Sequence, residues 1–411
     1  MPVNLNLPEA APVKGVELVT LAAGIKPNGT PDMVMVRVAE GSTCSAVFTQ
    51  SAFCAAPVTV AKEQLAGCDG SVRALLVNSG NANAGTGQLG IDMARGHCAA
   101  AAAALSVPEN SVLPFSTGVI GQLLPDAVMK AGIAKAFELL GGDDTDSVAA
   151  WQGAARGIMT TDTQPKITSA SVAVAGSSLT ITGMAKGAGM IQPNMATMLS
   201  YVFTDAVVSQ HDVQFALHEA VDVSFNAITV DSDTSTNDAC VLVATGASGV
   251  TVGREDAAWP DFMGALVQVC KDLAQAIIRD AEGASKFISV HVSGGQTTAE
   301  CKQVAYSIAN SPLVKTAMFA SDANVGRLLM AIGKAGVPDL DASRVTVSLG
   351  DVTAFEAAGV ADGYTEERGA AVMAQDEIDV FVDLARGHET ASVYTSDLSH
   401  EYVSINADYR S

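Results

Sequence analysis

Ala196-Thr197 closes the segment Gly183-Met-Ala-Lys-Gly-Ala-Gly-Met-Ile-Gln-Pro-Asn-Met-Ala-Thr-Met-Leu199, which is dense in glycine and carries one lysine and one proline. A threonine hydroxyl is a weak nucleophile until a base sits beside it, and an N-terminal threonine brings its own: an α-amine whose unperturbed pKa is about 8. An internal threonine reaches that state only when the peptide bond before it is cut. The small Ala196 and the approach Gly187-Ala-Gly189 permit strained backbone close to the hydroxyl. The residues alone leave two readings open: acyl transfer by a self-exposed threonine, or a Met-Ala-Thr-Met segment that merely packs.

Other chemistries are less well supplied. Gly85-Thr-Gly-Gln-Leu-Gly90 has the dinucleotide-binding spacing, but no acidic residue closes the next strand about 20 residues on, where a ribose hydroxyl would need one. A plain loop-to-helix junction is expected there. Gly333-Lys334 is followed by Ala335, so it is no phosphate-cradling loop. The six histidines have no metal-binding spacing, and no GxSxG elbow occurs. His211 and His218 read as a solvated helix face. The seven cysteines never form a CxxC pair and read as small buried hydrophobes rather than disulfides or a zinc site. No cofactor and no metal are expected.

Short β-rich runs must hold these residues in place: Met33–Val38, Val72–Val77, Ser171–Val174, Leu179–Ile181, Val241–Ala244, Phe287–Val292, Val345–Leu349 and Val380–Asp383. Helical patterns alternate with them over Ile91–Leu105, Asp126–Leu140, Ser147–Ile158, Val213–Asp222, Met263–Asp280 and Val325–Ala335, with Ser209 and Asp212 forming a capping-box-like start. This alternation predicts a mixed α/β fold. The segment 183–199 is expected to be a loop, neither strand nor helix interior. With 23 basic against 44 acidic residues the formal charge is −21, which argues against nucleic acid or an anionic membrane as partner. The start, MPVNLNLPEAAPVKG, lacks the basic leader and apolar core of a signal peptide, and a cytoplasmic location is expected.

Eight ordered blocks resemble the ornithine acetyltransferases, also called glutamate N-acetyltransferases, of arginine biosynthesis. They are Asn78-Ser-Gly-Asn-Ala-Asn83, Ser116-Thr-Gly-Val-Ile-Gly121, Met159-Thr-Thr-Asp162 with Lys166, Gly183–Leu199, Ser224-Phe-Asn226 with Thr229-Val-Asp231, and Asp233–Asp238. The last two are Arg279-Asp-Ala-Glu-Gly-Ala-Ser-Lys286 and the tail from His400-Glu-Tyr402 through Ile405–Ser411. The resemblance implies layered sheets and helices in two interlocked lobes, of the ornithine acetyltransferase or self-processing aminopeptidase type. It implies self-cleavage between Ala196 and Thr197 into an α chain 1–196 and a β chain 197–411, with Thr197 as nucleophile. Thr117 and Gly118 match the oxyanion pair. Thr160, beside Thr161, together with Lys186, Thr197, Glu282, Asn406 and Ser411, matches substrate-contacting positions.

The implied reaction carries acetyl from N2-acetyl-L-ornithine to L-glutamate through an acetyl-threonine, the resemblance implies an α2β2 assembly, and acetyl-CoA is a candidate second donor. An amidohydrolase or aminopeptidase on the same scaffold is the alternative; a nicotinamide oxidoreductase and a non-enzymatic protein are more distant ones. Three departures stand out: Asp322-Ala-Asn-Val-Gly-Arg327 lacks the family's proline and tryptophan, Ser404 stands where arginine is common, and Ala281 replaces a glycine. Taken apart from the resemblance, Lys186 reads as a solvated loop lysine, Glu282 as a surface carboxylate at a helix end, and Asn406 and Ser411 as a frayed tail.

Overall fold

The computed structural model describes residues 2–174, 176–192 and 198–408. Up to residue 119 the strands are β1 (Val16–Leu21), β2 (Met33–Val38), β3 (Thr43–Phe48), β4 (Ala74–Asn81) and β5 (Val112–Val119), with helices α1 (Ala56–Gly67) and α2 (Gly87–Leu105) between them. Then follow α3 (Asp126–Leu139), α4 (Val148–Gly157), β6 (Lys166–Val174), β7 (Ser177–Lys186), β8 (Leu199–Thr204), α5 (Gln210–Asp222), β9 (Ile228–Thr229) and β10 (Ala239–Ala244). After α6 (Trp259–Arg279) come β11 (Phe287–Gly295), α7 (Thr298–Ala309), α8 (Pro312–Phe319), α9 (Val325–Gly333), β12 (Thr346–Leu349), β13 (Val352–Glu356) and β14 (Gly359–Val360). The chain ends with α10 (Glu366–Met373), β15 (Glu377–Asp383), β16 (Glu389–Ser396) and α11 (His400–Ala407).

Three sheets result, ordered β1-β2-β4-β5, β3-β10-β8-β7-β6 and β14-β13-β12-β15-β11-β16-β9. The first two lie face to face. Strand alternation shows why: in β2, Val34 and Val36 join the core between the sheets, whereas Met33 and Met35 face α2 and α3. In β10, Val241 and Val243 point inward and Cys240 and Leu242 pack toward α5 and α6. Edge-to-face aromatic pairs, Phe115 with Tyr201 at 5.3 Å and Trp151 with Phe203 at 5.4 Å between centroids, fill the middle. The lobe is therefore four layers, helix, sheet, sheet, helix. The third sheet makes a second lobe with its own core under α7 to α10. The two interlock through β9, which leaves the first lobe to pair with β16.

All eight expected strands and six expected helices are present, with shifted ends. The Ser209 side chain accepts from the Asp212 amide, as the capping pattern predicts. Three expectations need correction. Gly183–Lys186 is strand, not loop: a Cβ on Gly183 would come within 2.7 Å of Leu273 and 3.0 Å of Val269, so the glycine lets α6 lie against β7. Cys54 and Cys68 are only part-buried, while the other five cysteines are buried. The tail is ordered helix as far as Ala407, capped by the Ser399 side chain. Among the described residues no helix is long and apolar enough to cross a membrane.

Candidate active site

A cavity of about 260 Å³ opens where the C-terminal ends of β4 and β5 meet the β7–β8 connection. Polar side chains hold the first wall. Asn78 Nδ2 donates to the Asn81 carbonyl at 2.8 Å, Ser116 Oγ donates to Asn78 Oδ1 at 2.6 Å, and Asn237 Nδ2 donates to the carbonyls of Ala82 (2.6 Å) and Ser116 (2.9 Å). The register shifts at Asn81, which faces both Thr117 and Val119 and so bows β5 at Gly118. Gly118 sits at φ +132°, and a Cβ there would overlap the Gly80 carbonyl. Only glycine fits, because the obstacle is backbone. Thr117 and Gly118 both line the cavity.

Asp162 secures the second wall. Its carboxylate accepts from the Thr160 amide (3.0 Å), the Gly187 amide (2.7 Å) and Lys166 Nζ (2.7 Å), tying loop 159–165 to the end of β7. Burial alone would raise its pKa, but Lys166, Lys186 and the Gly187 amide outweigh burial and bring it down to about 2. Lys186, the last residue of β7, is part-buried rather than solvated. Its pKa is lowered by burial and by Lys166, against the pull of Asp162, Asp238 and Glu282.

Glu282 follows the end of α6 and is buried, not a surface carboxylate. Gly189 makes room for it, since a Cβ there would stand 2.5 Å from Glu282 Oε2. Asn406 on α11 donates to the same oxygen at 2.7 Å. Helix α11 is held in turn by Tyr402, whose hydroxyl donates to Asp231 at 3.1 Å; Asp231 also accepts the amides of Met190 and Ile191 at 2.7 and 2.9 Å.

Thr117, Gly118, Thr160, Thr161, Lys186, Glu282 and Asn406 all line this one cavity, although they come from five separate stretches of chain. Ala196, Thr197 and Ser411 lie outside the described residues, while Met198, the neighbour of Thr197 in sequence, is in the cavity wall. Asp162, Asn237 and Asp238 lie inside the resembling blocks, and their residue types alone assign them no role. The Asp162–Lys166 spacing was the available signal for the first. Gly85–Gly90 is indeed the junction into α2, its N-terminal turn covered by the side chains of Asn83 and Thr86. The departing block 322–327 caps α9 through Asn324 and does not line the cavity. His211 and His218 are exposed.

A cation and a carboxylate set across a cavity suit a zwitterionic amino acid, and a hydroxyl–amide pair suits a developing oxyanion. The ArgJ family matches this chain over residues 17–411. The "Arginine biosynthesis bifunctional protein ArgJ" of Pseudomonas syringae pv. tomato is 49% identical over 98% of both chains. That of Psychrobacter arcticus is 51% identical over 99% of both. Among solved structures, the arginine biosynthesis bifunctional protein argJ of Bacillus halodurans is 38% identical, covering 51% of this chain and 98% of its own, with a TM-score of 0.49.

Proposed function

The chain belongs to the ArgJ family, and from that premise we propose that it moves an acetyl group from N2-acetyl-L-ornithine to L-glutamate through an acetyl-threonine on Thr197. It is an acyltransferase of arginine biosynthesis. The convergence of Thr117, Gly118, Thr160, Lys186, Glu282 and Asn406 on one cavity, with Met198 in its wall, carries the reading.

Self-cleavage after Ala196 frees the Thr197 α-amine. Its lone pair takes the hydroxyl proton as Oγ1 attacks the acetyl carbonyl, and the oxyanion rests on Thr117 and the Gly118 amide. As the tetrahedral intermediate collapses, the Thr197 ammonium gives the proton to the departing ornithine amine. The α-amine of glutamate then attacks the ester carbonyl and loses a proton to the Thr197 amine; the ester C–Oγ1 bond breaks, that proton returns to Oγ1, and N-acetylglutamate leaves with Thr197 regenerated. Lys186 holds the amino-acid carboxylate; Glu282, steadied by Asn406, faces the ammonium end of ornithine; Thr160 and Ser411 contact the substrate. The α chain 1–196 and β chain 197–411 stay together because β6 and β7 share a sheet with β8 and β10. We further propose an α2β2 assembly in the cytoplasm and acetyl-CoA as a second donor.

Two substrates sharing one nucleophile give parallel lines in a two-substrate initial-rate plot; intersecting lines overturn the mechanism. Thr197→Ala yields a single uncut polypeptide without activity, and two bands from that variant on a denaturing gel would refute self-cleavage by Thr197. Release of free acetate in place of transfer to glutamate assigns the amidohydrolase reading instead. N-acetylglutamate formed with acetyl-CoA as sole donor decides the second activity.

A further inference from the structure

Asp238 stands at the cavity wall immediately before β10, and no step above uses it. It is 2% exposed, and its Oδ2 has no hydrogen-bond partner among the described residues. A buried carboxylate oxygen left without a donor is costly. The orphan does not lie in a sealed core, where it would signal poor packing. Asp238 belongs to the cavity lining. The backbone fixes its position: the Ala239 amide donates to the Met198 carbonyl at 2.9 Å, so β10 and β8 leave the sheet edge in register and carry Asp238 and Met198 into the same wall.

The charges around it determine what the carboxyl can be. Asp162 is committed to Lys166 and to the Thr160 and Gly187 amides. Among the described residues, Lys186 is then the ammonium left to face both Asp238 and Glu282. Glu282 already accepts from Asn406. A substrate carboxylate brought to Lys186 adds another negative charge beside Asp238, so an ionised Asp238 would repel the group that Lys186 attracts. A protonated one would attract it.

We propose that Asp238 is a substrate-contacting residue: it keeps its proton on Oδ2 and donates it in a hydrogen bond to a carboxylate oxygen of the amino acid held by Lys186. The identity of that amino acid rests on the proposed function; the protonated carboxyl does not. Burial, stronger than the opposing pull of Lys186 and of the Ser235 hydroxyl and amide, pushes Asp238 well above the usual carboxylate range. The empty Oδ2 is the place for such a proton, because an O–H there needs an acceptor and the substrate supplies one. Asp238 also adds selectivity, since a ligand with an amide or amine in that position cannot accept both the Lys186 and the Asp238 hydrogens in the same way.

Asp238→Asn keeps a donor of similar size but cannot ionise; Asp238→Ala removes the donor. With the purified protein, the KM for L-glutamate of the alanine variant should exceed that of the asparagine variant by about tenfold or more, the usual result of leaving a charged ligand group short of one hydrogen bond. The ratio of wild-type to Asp238→Asn KM, which cancels the substrate's own titration, should climb as pH rises above neutrality. Equal KM values for the two variants, or a flat ratio, overturns the proposal. Infrared difference spectra of wild type against Asp238→Asn supply a readout independent of substrate: a protonated carboxylic acid band present at neutral pH in the wild type supports the inference. Its absence overturns the inference whatever the protein transfers, while a wild-type protein that shows the band but transfers no acetyl group overturns only the proposed reaction.

Discussion

Two groups of charges lie side by side under the β6–β7 pair, and they are built in opposite ways. Lys166 pairs across the strands with Ala185, the residue before Lys186, so the two ammonium groups belong to adjacent rungs. Around Lys166 the partners are complete: Asp162 at 2.7 Å, Asp280 at 2.6 Å and the Gln164 carbonyl at 3.4 Å. Asp280 in turn accepts the Thr163 amide at 2.9 Å and the Thr163 hydroxyl. Around Lys186, Asp238 has an oxygen with no donor among the described residues, and Glu282 is bonded by Asn406 in the cavity lining. Desolvating charge is tolerable when every lone pair and proton is satisfied. The completed group fastens loop 159–165 to α6, whereas the incomplete one keeps its bonding capacity for a ligand.

The contrast can be broken by exchanging the roles. Lys166→Met leaves Asp162 and Asp280 buried without their cation, and a loss of about 3–5 kcal/mol is expected from urea denaturation; a loss under about 1 kcal/mol would show that the completed group is dispensable. Lys186→Met should instead lower kcat/KM by an amount equivalent to about 2–3 kcal/mol while the urea midpoint stays close to wild type. An unfolded Lys186→Met protein would erase the distinction. The acid side sharpens it further. Asp162 falls from an ordinary 3.8 to about 2 in the folded protein, so its contribution of about 2 kcal/mol is complete above the unfolded value and lost as pH falls toward 2. Asp162→Asn should flatten that part of an acid-denaturation curve. Asp238 has the reverse sign. From the ordinary carboxylate value upward the folded state retains a proton that the unfolded state releases, and stability declines with rising pH until the elevated value is passed. Asp238→Asn removes that decline, so its thermal midpoint relative to wild type should rise with pH across that interval.

Much of the architecture is visible in the residue order, and the exceptions have physical causes. Strands β2 and β11 stand out as β-branched runs, and α2 through its alanines. β8, Leu-Ser-Tyr-Val-Phe-Thr, escaped because it follows a glycine-rich segment and is buried on both faces, leaving no polar alternation to read. β9 is two residues long and exists only because β16 receives it. α11 carries a mixed polar face and is held by Tyr402 and Ser399 rather than by an apolar stripe. In the site, Thr117, Gly118, Thr160, Lys186, Glu282 and Asn406, brought forward by family resemblance, line the cavity, while Ala196, Thr197 and Ser411 lie outside the described residues. Asp162 and Asp238 are both aspartates within motifs, and nothing in the order of residues tells a saturated carboxylate from an orphaned one. That difference arises only when distant amides and amines are brought to one and not the other.

The close approach of β4 and β5 at Gly80 and Gly118 has a consequence for anyone seeking new acceptors by directed evolution. Since main chain meets main chain there, no second-site change can create space for a side chain at 118, and randomising that codon would spend library diversity on clones that fail to assemble. Elsewhere in the cavity lining, Thr161 and Met190 present side chains of different reach, and variation there can reshape the cavity without disturbing the β4–β5 contact.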